Sequence, residues 1–231
     1  MILCVYALVS PPPARLSLTG IARERLRVVT IDRIGVVVGE LRRVPAPSIR
    51  HLRRYAAIVE SIAARVPSVL PARFATTVAD RDELAFILQS RGSILRERLR
   101  AVRARAQMTI RLLLESESGD RSFPSRSTVT DGARLRLGYG ATQGTQYLQR
   151  RMADAAAAHA VPAFEPIRAA VRRYIKDERV DKLGGVITIN HLVPRTAAVR
   201  YRDTLERAAD QNEVRLIVTG PWPPYAFADN W

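Results

Sequence analysis

Residues 186–220 read VITINHLVPRTAAVRYRDTLERAADQNEVRLIVTG, and this stretch decides the fold of the second half of the chain. Its first eight residues alternate between apolar and polar, which predicts a strand over residues 186–193. Pro194 then opens a helix, since proline suits the first helical position. A β-branched run predicts a last strand over residues 214–218. The helix in between is marked by apolar residues that recur on one face: Ala198, Tyr201, Leu205 and Ala208.

Before this stretch, the pattern of apolar residues predicts the other strands and the other helix of the second half of the chain. A period of two begins at Met108 and predicts a strand, and a helical pattern then runs from residue 145 to residue 174 with interruptions at Pro162 and Pro166. A short strand at residues 179–183 and a turn at Gly184 and Gly185 follow. The predicted order is strand, helix, strand, strand, helix, strand.

This βαββαβ order is typical of a ferredoxin-like domain, in which two helices cover one face of an antiparallel sheet. We therefore predict such a domain over residues 107–219. Residues 117–143 are rich in Ser, Gly, Thr and Arg without periodicity, so they are predicted to form a mobile insertion. The fold serves many unrelated functions and by itself identifies no activity.

The strand and helix patterns in the first half of the chain predict a separate α+β domain over residues 1–106. A continuous apolar run at residues 2–9 predicts a buried strand, and two further strands at residues 26–31 and 36–41 are joined by a tight hairpin. A helix capped by Ser48 follows, then an irregular edge strand over residues 68–78 that contains Pro71. Asp80, with Glu83 three residues later, predicts the capped start of a second helix. The whole chain is thus predicted to be a mixed α/β (α+β) protein with two domains and a tail at residues 220–231.

Composition limits the class of protein. The 231 residues are 47% hydrophobic, which is ample for packed cores, and no apolar run approaches the roughly 18–20 residues that span a bilayer. The first strand lacks the basic region and the cleavage site of a signal peptide, so we expect a cytoplasmic protein without a membrane segment. The single cysteine, Cys4, excludes an internal disulfide and is expected to be buried.

The net charge of +15 raises the alternative of a basic nucleic-acid-binding regulator with a ferredoxin-like domain. The positive charge is almost all arginine and is dispersed, although residues 91–105 hold six arginines against one glutamate. On a helix this segment is either a solvated face or a patch for an acidic partner. The strand at residues 186–193 offers no aromatic residue for base stacking, so the RNA-binding reading has little support.

Catalytic chemistry has no clear candidates. The three histidines, His51, His159 and His191, fall in separate elements without metal-ligand spacing, and we expect His51 on the surface and His191 packed. No nucleophile elbow, phosphate loop or zinc motif is present, and the glycine-rich residues 138–144 do not fit a dinucleotide fingerprint. We therefore predict a protein that is not an enzyme, with no catalytic, cofactor-binding or metal-binding residues.

Four segments resemble the gas vesicle protein F and L family, whose members are accessory proteins for building gas-filled protein shells. They are the first strand MILCVYALV, the segment VLPARFATTVADRDEL at residues 69–84, GTQYLQRRM at residues 144–152, and residues 191–228, which end in GPWPPYAFA. The ending is the most specific of these. Ala75 stands where the family usually has glycine.

The resemblance implies a two-domain, non-enzymatic protein of gas vesicle assembly, located in the cytoplasm with the vesicles. Its implied partners are the small hydrophobic shell protein and other vesicle accessory proteins. We hypothesise a binding surface made of an apolar groove with an arginine rim, which would suit an amphipathic, partly acidic partner. The candidate residues are Arg73, Phe74, Arg96, Arg100, Arg103, Trp222, Tyr225 and Phe227.

The tail at residues 220–231 has two interpretations. Gly220 permits a change of direction, and Pro221, Pro223 and Pro224 are expected to stiffen an extended segment that presents its aromatic residues. The tail then either packs back onto its own domains and seals their interface, or docks directly onto a partner. Both interpretations assign it a role in arranging surfaces.

Overall fold

The computed structural model describes residues 1–113, 161–183 and 186–228. Several predictions lie outside these ranges: the insertion at residues 117–143, the glycine-rich residues 138–144, the helical pattern at residues 145–160, the turn at Gly184 and Gly185, and Trp231. Within the described ranges the protein is a mixed α+β structure with two antiparallel sheets. None of the helices described there combines the length and apolar composition that crossing a bilayer requires.

The first sheet is built from the first half of the chain, and its strand order is β2-β3-β1-β4, with β5 also paired to β1. Its elements in chain order are β1 (Ile2–Ser10), β2 (Leu26–Ile31), β3 (Ile34–Leu41), α1 (Ile49–Ala63), β4 (Ser68–Pro71), β5 (Thr77–Val78) and α2 (Arg81–Ala101). The predicted hairpin is present, with a two-residue turn between β2 and β3. The predicted irregular strand is present as two short strands, β4 and β5, both paired with β1.

Both predicted helix starts are confirmed by their caps. The Ser48 hydroxyl accepts a hydrogen bond from the His51 N–H at 3.2 Å. At α2 the Asp80 carboxylate accepts from the N–H groups of Asp82 and Glu83 at 2.9 Å, and the Glu83 carboxylate accepts from the Ala79 N–H. These bonds satisfy N–H groups that a helix leaves without intrahelical partners.

The two helices cover opposite faces of the first sheet. Leu3, Val5 and Leu8 of β1 belong to a core cluster with α2. Cys4 and Tyr6 belong to a second cluster with α1. Side chains alternate along a strand, and the register shift between Val5 and Ala7 puts Leu8 on the same face as Leu3 and Val5.

The second sheet has the strand order β7-β8-β6-β9, with every neighbouring pair antiparallel. Its core contains alternate residues of β6 and β8, such as Met108, Ile110 and Ile189, packed against α3 and α4. Its elements are β6 (Arg105–Leu113), α3 (Glu165–Val171), β7 (Asp177–Leu183), β8 (Val186–Pro194), α4 (Ala198–Gln211) and β9 (Leu216–Trp222), with single turns of 3-10 helix at Pro162–Phe164, Arg172–Tyr174, Arg195–Ala197 and Tyr225–Phe227.

The last strand differs from the prediction of residues 214–218. It starts at Leu216 and continues to Trp222, so Gly220 and Pro221 lie within the strand. Proline is tolerated here because β9 is an edge strand, where a missing outward N–H breaks no ladder bond. The pairing with β6 shifts register between Gln107 and Thr109, next to this point.

The tail after β9 also differs from the prediction of an extended segment. Pro223 and Pro224 are buried, and Tyr225–Phe227 forms a 3-10 turn. The Phe227 N–H donates to the Pro224 carbonyl at 3.2 Å. Aromatic side chains in the tail give it enough apolar surface to fold back, which the proline content alone did not indicate.

Candidate partner-binding clefts

The tail is anchored to the protein by its last aromatic residue. Phe227 is only 5% exposed and lies in the core cluster that contains α2 and Leu192 of β8. The Ala226 N–H donates to the Gln107 side-chain carbonyl at 2.8 Å, and the Arg179 guanidinium lies 6.0 Å from the Phe227 ring centroid. The tail therefore packs on the protein itself, and Phe227 offers no exposed surface.

A buried polar cluster supports this anchor, and sequence reasoning missed it. The Gln107 amide donates to Thr109 Oγ1 at 3.0 Å and to Asn190 Oδ1 at 2.9 Å, and the Thr109 hydroxyl donates to Asn190 Oδ1 at 2.8 Å. These residues lie on the face of the second sheet opposite the helices. The sequence did contain a signal for this cluster. Gln107 and Thr109 are uncharged polar residues two positions apart on a strand, and such residues can be buried when they hydrogen-bond to each other.

Three of the predicted site residues meet in one cleft of about 510 Å³, here called the aromatic cleft. Tyr55, Arg73, Phe74 and Tyr225 contribute to its lining. Arg73 is the only charged side chain among the described residues that line it. Such a cleft combines apolar walls with a single cationic group.

Tyr55 forms the floor of the aromatic cleft. Its hydroxyl donates to the Ala72 carbonyl at 2.9 Å, and the Phe74 ring meets it edge to face with centroids 5.5 Å apart. Burial raises the pKa of Tyr55, so its hydroxyl remains a neutral donor. Tyr225, 38% exposed, sits at the cleft with its pKa raised by burial and by the Glu60 carboxylate.

A turn in the left-handed conformation presents Arg73 and Phe74 at this cleft. Ala75 has φ +68°, and the Thr76 N–H and hydroxyl both donate to the Arg73 carbonyl, at 3.1 and 2.9 Å. Glycine adopts this region without the steric cost that an alanine Cβ incurs. The backbone thus gives a physical reason for the glycine that the family usually has at this position.

Trp222 lies in a neighbouring cleft of about 340 Å³, the tryptophan cleft. It is 40% exposed, and Glu60 and Ala64 of α1 line the same cleft. Arg195 closes one side: its guanidinium donates to the Ala63 carbonyl at 2.9 Å and the Val66 carbonyl at 3.2 Å. These bonds cap the end of α1, where carbonyls lack intrahelical partners, and tie it to the second sheet.

The remaining predicted residues lie elsewhere. Arg96 and Arg100 lie in the last turns of α2 and Arg103 lies two residues after its end, with Arg100 and Arg103 exposed. We call them the arginine ridge. Because α2 and α1 cover opposite faces of the first sheet, the structure does not bring the ridge to the aromatic cleft.

His191 is packed, as predicted. It is fully buried, with Nδ1 2.5 Å from the Tyr201 hydroxyl oxygen and Nε2 2.6 Å from Glu178 Oε2. Burial lowers the pKa of His191 despite the opposing effect of the Glu178 carboxylate. With a neutral ring, Nε2–H donates to Glu178 and Nδ1 accepts from Tyr201. No group of three or more His, Cys, Asp or Glu side chains within the described ranges is placed to hold a metal ion.

Comparison with known proteins gives concordant matches. The family "Gas vesicle synthesis protein GvpL/GvpF" matches residues 3–229. The chain is 28% identical to gas vesicle protein L2 of Halobacterium salinarum, over 97% of this chain and 89% of the relative.

Two crystal structures of gas vesicle protein GvpF share the fold, each with a TM-score of 0.70. The protein from Anabaena sp. PCC7120 is 13% identical, with 100% of this chain and 99% of that chain covered, and the one from Microcystis aeruginosa is 16% identical, with 99% of each covered. Because the family match spans almost the whole sequence, this chain belongs to the GvpL/GvpF family of gas vesicle synthesis proteins.

Proposed function

We propose that this protein acts in gas vesicle assembly as a non-catalytic binder of the small hydrophobic shell protein and of other vesicle accessory proteins. The observation that carries this proposal is the family match over residues 3–229. The proposed setting is the cytoplasm, in association with gas vesicles. A hydrophobic shell subunit has to be kept from aggregating before insertion, and binding to an apolar surface achieves this.

The aromatic cleft is the proposed contact for the shell subunit. Its walls supply Phe74 and Tyr225, which give large contact area at low entropic cost. Its single cation, Arg73, is exposed and can form a bidentate pair with a carboxylate. This chemistry fits an apolar segment that carries one acidic side chain. Trp222 in the adjacent tryptophan cleft extends the same contact along α1.

The arginine ridge has a different proposed role. Arg96, Arg100 and Arg103 lie on another face, so we assign them to long-range attraction of an acidic partner. Their effect then falls on the association rate and its dependence on salt. Phe227, which is buried, is assigned to holding the tail.

We also propose that the chain is divided into domains at residues 1–106 and 107–219, followed by the tail at 220–231. The strand order β7-β8-β6-β9, all antiparallel, supports a ferredoxin-like arrangement of the second domain. In this arrangement the tail and the buried Gln107–Thr109–Asn190 cluster lie on the side of the sheet away from its helices. That side is the proposed contact between the two domains.

The test is co-expression of the tagged protein with a gas vesicle shell protein, followed by affinity capture and measurement of soluble shell protein. We expect specific capture and raised solubility relative to a charge-matched basic protein. Arg73→Glu combined with Tyr225→Ala should reduce capture at least fivefold. Arg200→Glu, an exposed arginine on α4, is the matched control for the change in charge and should have little effect.

Capture no greater than that by the basic control would overturn direct binding of the shell protein. Equal capture by the cleft variant and by Arg200→Glu would instead overturn the assignment of the aromatic cleft while leaving shell binding intact.

A further inference from the structure

Among the described residues, the sheet edges differ in how they are protected. Edge strands are usually blunted by charges, by proline or by a covering segment. On the second sheet, β7 has five charged residues among its seven, and β9 contains Pro221. On the first sheet, β4 is only four residues long and contains Pro71. In contrast, the β2 sequence LRVVTI has one charge and no proline.

The register of β2 shows which backbone groups face outward. The two-residue turn pairs Ile31 with Ile34, so alternate residues of β2 bond to β3. Val28 and Thr30 then point their N–H and C=O groups away from the sheet. Leu26 shares this orientation, and its N–H donates to the Leu18 carbonyl at 3.0 Å. The structure shows no hydrogen-bond partner for the Val28 or Thr30 backbone on that side within the residues it describes.

A groove of about 1110 Å³ lies beside this open edge. Its far wall is formed by residues 12–17, which begin with Pro12 and Pro13. Pro12 and Pro13 have no N–H to donate to the outward carbonyls of β2, and the backbone of residues 12–17 makes no hydrogen bond to Val28 or Thr30. An added strand needs a spacing of about 4.8 Å from its neighbour, and a groove of this volume has room for one.

The unpaired positive charges that line the groove favour an acidic occupant. Arg15 and Arg25 line it, both exposed and without an ion pair within the described part of the chain. The acids nearby are already engaged: Glu40 pairs with Arg27 at 2.5 Å, and Glu24 accepts from the Tyr6 hydroxyl and from the Ala22 N–H. A second copy of this chain, with its net charge of +15, would bring the same arginines face to face.

We propose that the free edge of β2 accepts an extended, acidic segment of a partner protein as an added strand. Backbone hydrogen bonds to Val28 and Thr30 supply binding, and Arg15 and Arg25 select acidic side chains. This surface is separate from the aromatic cleft, and the inference does not rest on the proposed role in shell binding.

The test uses the full chain and a fluorescein-labelled peptide, Thr-Glu-Val-Glu-Val-Glu-Thr-Glu, in an anisotropy titration. We expect saturable binding that is lost when alternate peptide amides are N-methylated, since methylation blocks strand pairing. Thr30→Pro removes one outward N–H without removing a bond to β3, and it should weaken binding at least tenfold. Thr30→Ala keeps the N–H and should stay within twofold of the wild type.

Arg15→Glu with Arg25→Glu should also weaken binding at least tenfold, whereas Phe74→Ala in the aromatic cleft should leave it unchanged. Circular dichroism and thermal melts verify that each variant is folded. The proposal is overturned by absence of binding, by equal binding of the N-methylated peptide, or by equal binding to folded Thr30→Pro. Self-association that Thr30→Pro abolishes, measured by ultracentrifugation, would overturn it in favour of a second copy.

Discussion

At the scale of single residues, Ala75 is the position where one substitution should stabilise the protein. Its φ of +68° is costly for alanine and neutral for glycine. We predict that Ala75→Gly raises the free energy of unfolding by about 0.5–1 kcal/mol, since relief of strain exceeds the added chain entropy of glycine. Urea denaturation measures this difference.

Ala79 is the matched control, because it is exposed, lies four residues away and does not have positive φ. Ala79→Gly should lower the free energy of unfolding, since there only the entropy cost operates. If both glycine variants lost stability equally, the left-handed turn at residues 73–76 would be contradicted.

His191 sets a pH dependence of stability. Its pKa is lowered in the folded protein by burial, so between its ordinary value of 6.5 and the folded value the unfolded chain binds a proton that the folded chain does not. The pKa of Glu178 is also low: burial alone would raise it, but the hydrogen bond from His191 and the charge and hydrogen bond of Arg168 outweigh burial. The low pKa of Glu178 therefore adds to the free energy of unfolding at pH values above the ordinary carboxyl pKa. This addition is lost as the pH falls through the pKa of Glu178 in the folded protein.

We therefore predict that the free energy of unfolding decreases as the pH is lowered from 7.5 towards 5. In His191→Gln the decrease between pH 7 and 6 should be smaller, because the titrating ring is gone. Urea titrations at several pH values test this, with His51→Gln as the surface control. A slope unchanged in His191→Gln would contradict the neutral, buried state of this ring.

The sequence predicted that His191 is packed, because it lies in an alternating strand. It did not show which groups meet it. Glu178 and Tyr201 lie 13 residues before and 10 residues after His191, on β7 and α4, and only the pairing of β7 with β8 and the packing of α4 place them at the two ring nitrogens. Side-chain partners across elements are a tertiary property that periodicity does not encode.

At the scale of elements, Gly220 determines the course of β9. It has φ +116°, and a Cβ at this position would lie 2.6 Å from the Gln107 carbonyl oxygen. We predict that Gly220→Ala lowers the free energy of unfolding by about 3 kcal/mol, since both strain and a backbone clash must be accommodated. The tail should also loosen, which limited proteolysis and Trp222 fluorescence would report.

Gly92 in α2 provides the contrast. An added Cβ there meets only the flexible Arg96 guanidinium, 3.1 Å away, so Gly92→Ala should raise the free energy of unfolding by about 0.5–1 kcal/mol through helix propensity.

A Gly220→Ala protein that is as stable as the wild type would show that β9 does not approach β6 in this way.

The elements themselves were largely predictable, and the exceptions have physical causes. Caps at Ser48 and Asp80 and the hairpin turn are encoded in a few adjacent residues, so sequence predicted them. The extension of β9 to Trp222 was not predicted, because proline normally ends a strand and only the edge position makes Pro221 tolerable. Edge position depends on the strand order of the whole sheet.

At the scale of the whole molecule, the fold separates residues that the sequence grouped as one surface. Arg73, Phe74 and Tyr225 meet at the aromatic cleft although 150 residues lie between Phe74 and Tyr225. The arginine ridge, much closer in sequence to Arg73, lies at the end of α2 and just after it, and α2 covers the other face of the sheet. The sequence identified residue types that suit partner binding. It could not show which face of the sheet each residue lies on, because that depends on the strand order.

The most direct measurement of the central claim is site-specific photo-crosslinking during co-expression with a gas vesicle shell protein. A benzophenone amino acid replaces Phe74 in the aromatic cleft or, as the matched control, Phe86, which is 72% exposed on α2. We predict a crosslink to the shell protein from position 74 at least tenfold stronger than from position 86. Equal crosslinking from both positions, or crosslinking from position 86 alone, would contradict docking of the shell protein at the aromatic cleft.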